Sequence, residues 1–135
     1  RYEGATFYRT VHLHNQHNDS VKIEVIQGGL WNEGDELTYP TIVHETTKKT
    51  GVLHKDGVIS MARLEPGTAS SEFFICIGDQ PELDFGGKRN SDGQGFAAFG
   101  RVVNGMDVVR AIQQQPAEGQ ALTPRISILS VELLK

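Results

Sequence analysis

The chain has 135 residues, of which 38% are apolar and 22% charged, with 15 glycines and a formal net charge of −4. Those values suit a single soluble domain (residues 1–135) built on one hydrophobic core. Acidic and basic residues are mixed along the chain, which argues against a nucleic-acid partner, and no apolar run approaches the about 18 residues of a membrane helix.

In chain order, residues 5–11 read as a strand, with Phe7 and Val11 on one face and Thr6, Tyr8 and Thr10 on the other. Arg9 then falls on the apolar face. A charge there marks either a functional side chain or a strand that twists and leaves Arg9 in solvent. Residues 12–20 are polar and without periodicity, hence a loop. Alternation resumes over 21–26, with Val21, Ile23 and Val25 on one face, and Gln27-Gly28-Gly29 ends the strand. Further strands are expected over 57–62, 72–77, 95–102 and 126–134, with a turn at Pro66-Gly67. One helix begins near Asn104. Asn104 can cap it, Asp107 suits its positive end, and Met106, Val109 and Ile112 follow helical spacing up to Pro116. A short turn is expected at Pro81-Glu82-Leu83. Many strands with few helices favour a closed barrel or a sandwich.

Few constellations carry chemistry. The single Cys76 excludes an intrachain disulfide, and its place in Phe73-Phe74-Ile75-Cys76-Ile77 suits a buried thiol rather than a reactive one. His12, His14 and His17 form a candidate Zn or Cu loop, though no Cys accompanies them. His44-Glu45 and His54 do not make the helical His-Glu-x-x-His of a zinc protease. Gly93-Gln94-Gly95 precedes a strand rather than the helix that a dinucleotide fingerprint requires. No nucleophile elbow or P-loop is present. Pattern alone gives a mainly β domain with one misplaced Arg.

Four motifs in order go further. Tyr2-Glu3-Gly4-Ala5-Thr6-Phe7-Tyr8-Arg9 and the later Gln27-Gly28-Gly29 are followed by Gly57-Val58-Ile59-Ser60-Met61-Ala62-Arg63, which runs on through Pro66-Gly67-Thr68 to Ser71-Glu72-Phe73-Phe74-Ile75. Leu83-Asp84 and the stretch from Phe99-Gly100-Arg101 to Asp107-Val108-Val109 complete the set. Together they resemble the cyclophilin family from end to end, beginning some way into a typical member. The resemblance implies an antiparallel β-barrel capped by two helices, with a peptide groove on the outer barrel face. It also implies peptidyl-prolyl cis/trans isomerase activity in protein folding, with no cofactor or metal. Partners would be proline-containing peptides and unfolded proteins, with no nucleic acid and no membrane. By the same resemblance Arg9 is the catalytic residue and Gln27 its polar neighbour. Phe74 floors the proline pocket, Leu83 walls it, and Phe96 stands where many members have His or Tyr. Ala62 and Arg63 match the segment whose backbone pairs with substrate. Val25 takes a position usually held by Met, and Glu72 one usually held by Gln.

The chain also departs from the pattern. Val11 and Gln27 are separated by 15 residues, more than in typical members, so 12–20 looks inserted beside the groove. The loop over 85–95 is also long. Glu72 is expected to lie in solvent or to pair with Arg9. The family's first two strands and helix are not in the sequence, so the strand over 126–134 is expected to lack a neighbour. Two alternatives stand beside an isomerase: a Pro-peptide binding module with weak or no turnover, and a metal-binding histidine loop. The motifs have a bacterial look, which leaves cytoplasm and periplasm both open.

Overall fold

The computed structural model describes residues 2–32 and 39–134. Among these residues seven strands form one antiparallel sheet: β1 (Thr6–Val11), β2 (Val25–Gly29), β3 (Val58–Met61), β4 (Phe73–Cys76), β5 (Ala97–Arg101), β6 (Ala117–Glu118) and β7 (Ala121–Ser127). Their order is β5-β3-β4-β2-β1-β7-β6. The chain is thus mainly β and consistent with the cyclophilin-like barrel. Among the described residues no helix is long and apolar enough to cross a membrane.

Successive strand residues point to opposite faces, and the sheet has an apolar cluster on each. In β2 and β4, Val25, Phe74 and Cys76 join Val11, Ile23 and Leu83 on one side. Their neighbours Ile26 and Ile75 join Ile77 and Val109 on the other, with Phe7, Met106 and Ile112 packed against them. That second cluster is covered by α2 (Met106–Gln113), whose apolar residues recur at helical spacing. Each fully buried Val, Ile or Leu contributes about 1.5–3 kcal/mol.

Three expectations are corrected. Asn104 does not cap α2: Gly105 takes the cap position, with no side-chain bond, and its carbonyl accepts from the Val108 and Val109 amides. A single turn of helix, α1 (Thr47–Thr50), was not foreseen; Thr46 Oγ1 caps it by accepting from the Lys49 amide. The last strand is β7, ending at Ser127, and not the apolar stretch over 126–134. Past Ile128, whose amide donates to the Ala5 carbonyl, no strand among the described residues supplies partners, and Leu129, Leu133 and Leu134 are exposed. Alternating apolar residues make a strand only where a ladder exists to receive them.

Candidate functional site

Arg9 owes its place to an irregularity in β1. Phe7 pairs with Gly28 and Arg9 with Gln27, so Tyr8 is an extra residue against β2. The register slips at the same point against β7, where Phe7 opposes Ile126 and Arg9 opposes Ala121. A bulge of this kind sends two successive side chains to one face. Tyr8 and Arg9 both line the same groove, whereas Phe7 joins the cluster under α2. The expected grouping of Phe7 with Arg9 and Val11 therefore fails, because strict alternation has no place for the extra residue. Thr10 is buried on the α2 side, and its hydroxyl donates to the Gln113 carbonyl.

The Arg9 guanidinium is held on two sides. Nη1 donates to Gln27 Oε1 at 2.7 Å. Nε and Nη2 both donate to Gln120 Oε1, at 2.9 and 2.7 Å. Burial, and then the nearby Arg89 cation, lower the Arg9 pKa from its ordinary value; a guanidinium nonetheless stays charged. Gln27 Nε2 in turn donates to Tyr8 Oη. Gln120 was missed in the sequence. It sits in the two-residue turn, with Gly119, that joins β6 to β7, and a glycine between two short strands was the available signal.

The groove encloses about 500 Å³. Of the residues singled out by sequence, Arg9, Gln27, Ala62, Arg63 and Glu72 line it, together with Tyr8, Trp31, Thr68, Ser70 and Gln120. Glu72 does not pair with Arg9, nor does it stand in solvent. Its carboxylate is buried and accepts from Tyr8 Oη at 2.8 Å and Ser71 Oγ at 2.6 Å. It also accepts from the Leu30 and Trp31 amides, at 3.1 and 2.9 Å. Burial and the Glu72 hydrogen bond push the Tyr8 phenol well above its usual range, so it donates rather than ionises. The Arg125 guanidinium lies over the rings of both Tyr8 and Trp31, 5.3 and 5.1 Å from their centroids, and fixes this aromatic end.

The apolar candidates lie beneath the surface. Val25 and Leu83 are core residues, Leu83 with 0% exposure, and neither lines the groove. Phe74 is 4% exposed. Phe96 meets it edge-on, with centroids 5.1 Å apart. Over Phe96 lies the Arg63 guanidinium, 5.1 Å from the ring centroid. Arg63 also donates to the Gly95 carbonyl and forms a two-pronged pair with Asp92. Its side chain is only 2% exposed. Those Arg63 hydrogen bonds hold the Asp92 carboxyl below the usual carboxylate range.

Behind Phe74 stands a buried line of polar groups that sequence reading did not find. His54 Nδ1 meets Asp84 Oδ1 at 2.7 Å and Nε2 meets Ser60 Oγ at 2.8 Å. The contacts are those of a Ser-His-Asp triad, yet Ser60 is wholly buried, so no substrate can reach its oxygen. The His54 ring stacks on Phe74 at 6.0 Å, and the line braces that side chain. Cys76 is buried too, and burial pushes its thiol up to about 12. The histidine loop shows no metal geometry. His12 Nδ1 accepts from the His14 amide, and among the described residues no three His, Cys, Asp or Glu side chains could hold an ion together.

The sequence matches the family described as cyclophilin type peptidyl-prolyl cis-trans isomerase/CLD over residues 1–133. It is 37% identical over 97 residues to peptidyl-prolyl cis-trans isomerase A of Dickeya dadantii, a match covering 70% of this chain and 48% of that protein. It is 36% identical over 92 residues to peptidyl-prolyl cis-trans isomerase B of Escherichia coli, covering 66% and 54%. A peptidyl-prolyl cis-trans isomerase of Acinetobacter baylyi is 32% identical over 117 residues, covering 81% and 59%. The chain spans about half the length of these curated relatives. With a match that runs almost from end to end, the chain belongs to the cyclophilin-type peptidyl-prolyl cis-trans isomerase family.

Proposed function

We propose that this chain catalyses cis/trans isomerisation of X-Pro bonds in extended peptides bound along the groove at Arg9. The observation that carries the reading is a guanidinium clamped by Gln27 and Gln120 at the edge of a groove. Amide resonance sets a rotation barrier of about 18–20 kcal/mol. No covalent bond is made or broken, so no nucleophile is needed. The catalyst must favour the twisted amide, whose nitrogen has regained its lone pair. A fixed, permanently charged donor can bond to that nitrogen or hold the carbonyl while the other side turns. Because both glutamines orient the fork beforehand, little reorganisation is left for the reaction itself. Lowering the barrier by about 5 kcal/mol gives on the order of 10⁴-fold acceleration.

Proline-containing peptides and unfolded chains are the proposed partners. A second reading, a binding module with little turnover, is favoured by one observation: Phe74 is buried beneath Phe96, over which Arg63 lies, and Leu83 is buried in the same cluster. In that reading the peptide sits above a closed apolar floor, and its proline ring is not clamped.

NMR exchange between the cis and trans signals of a short Ala-Pro peptide tests both. Exchange that wild type accelerates and Arg9→Ala does not supports the isomerase. Peptide binding without acceleration by either protein supports the binding module.

A further inference from the structure

We propose that Gln120 is a positioning residue for Arg9, and that Asn15, on the loop between β1 and β2, fixes Gln120 in turn. The inference rests on the isomerase reading above, and it gives the long 12–22 loop a part in the reaction.

Three of the five N–H donors of a guanidinium are taken up in Arg9. Gln27 accepts one and a single oxygen of Gln120 accepts two. Gln120 therefore sets the plane of the fork along one whole edge, and the two remaining donors are left for a peptide. An amide can present either its oxygen or its NH2 group, and only the oxygen can accept from Arg9. The choice is made by what lies behind it. Gln120 Nε2 donates to the Asn15 backbone carbonyl at 3.0 Å. Turning the amide over would set NH2 against the guanidinium and oxygen against a carbonyl, two repulsive contacts in place of three bonds.

Asn15 is itself held from several directions. Its Nδ2 donates to the Thr10 and Gly119 carbonyls, at 2.9 and 3.1 Å, and its Oδ1 accepts from the His12 amide. It thereby staples the loop to the end of β1 and to the turn that carries Gln120. The far side of the loop is tied down by Arg89, which donates to Gln16 Oε1 and the Val21 carbonyl and lies 3.4 Å from Asp19. Buried Gln16 closes the loop onto Ile23 by two further bonds. The chain of contacts from Arg89 to Arg9 is continuous through this loop.

The test compares wild type, Arg9→Ala, Gln120→Ala, Gln120→Glu and Asn15→Ala. For each, Ala-Pro exchange is measured at saturating peptide, with peptide affinity and the Arg9 Nε–Hε signal alongside. Gln120→Ala is expected to lower turnover roughly tenfold, with affinity changed less, and to shift the Arg9 Nε–Hε signal or speed its solvent exchange. Gln120→Glu fills the same space and keeps an acceptor for the fork but sets an oxygen against the Asn15 carbonyl. Its turnover is therefore expected between that of Gln120→Ala and wild type with the Arg9 signal shifted, which a space-filling role would not explain. Asn15→Ala, remote from the groove, is expected to lower turnover about threefold with the same spectral change. Should Gln120→Ala fail to fold, the Asn15→Ala result decides by the same criteria. Turnover within about twofold of wild type and an unmoved Arg9 signal, while Arg9→Ala abolishes exchange, overturns the inference and leaves the isomerase standing. If wild type accelerates exchange no more than Arg9→Ala does, both fall together.

Discussion

In β2, Gly29 faces the carboxylate of Glu72 so closely that an added Cβ would stand 2.5 Å from both carboxylate oxygens. The backbone there has φ +147, a value that side chains disfavour. The glycine is thus what allows a buried carboxylate to collect Tyr8, Ser71 and two backbone amides. An amide at position 72 offers one oxygen where the carboxylate offers two, and turns an NH2 toward a donor. Glu72→Gln is therefore expected to cost about 1–3 kcal/mol of stability, read from urea denaturation at pH 7. Turnover of the folded variant should stay close to wild type, since Glu72 does not touch Arg9. A large loss of turnover at unchanged stability would contradict this account.

Replacing Arg9 by Lys keeps the charge but not the fork. Lys cannot donate to Gln27 and Gln120 in one plane, so exchange of the Ala-Pro peptide should fall by about tenfold or more. Peptide binding should change far less, because the aromatic end of the groove is untouched. Parallel titration and exchange measurements separate the two effects.

Leu83 was expected at the groove wall and is instead a fully buried member of the cluster behind it. Leu83→Ala should cost about 2–5 kcal/mol, visible as a lower denaturation midpoint. A wall residue would have lost peptide affinity with little change in stability.

His54 is expected to make the fold sensitive to mild acid. Burial lowers its pKa from the ordinary 6.5, against the opposing pull of Asp84. The unfolded chain then takes up a proton at a pH where the folded chain does not. Stability is complete above about pH 6.5 and declines as pH falls from there toward the lower folded value, by at most about 1.4 kcal/mol per pH unit for one proton. Denaturation midpoints from pH 7.5 to 5 should show this slope in wild type, and His54→Phe should flatten it.

Cys76 should resist thiol reagents. With the thiol buried and its pKa pushed up to about 12, labelling at pH 8 should be slow in buffer and fast in denaturant. Rapid labelling of the folded protein would show that the cluster around Phe74 opens readily.

The sequence conveyed some levels of the molecule better than others. Strand positions were legible because the alternation at Ile23 and Val25 and the apolar run from Phe73 to Ile77 report burial directly. Arg9 stood out since it broke that alternation, and family motifs supplied Gln27 and Glu72 beside it. The bulge at Tyr8 was not legible, because an extra residue in one strand is defined only by its partners. Gln120 and Asn15 escaped for a similar reason: their roles come from contacts across 105 positions or more of chain for Gln120 with Asn15 and Arg9. Burial of Val25, Leu83 and Phe74 depended on the cluster they form and on the Phe96 and Ala62 side chains packed against it, and no local pattern encodes that cover. The apolar run past Ser127 misled for the opposite reason, having strand composition without a neighbouring strand among the described residues.

The extra residue at Tyr8 divides β1 into two halves of opposite phase. Before it, Phe7 packs in the helix-side interior; after it, Arg9 lines the groove and Val11 joins the apolar cluster on that face, while Thr10 turns to the helix side. In a regular strand Phe7 and Arg9, two residues apart, would share one side of the sheet, and the bulge is what sets them on opposite sides. Substitutions on either half can be absorbed without disturbing the other. The strand can therefore vary its interior packing and its groove face separately, provided that the bulge is kept.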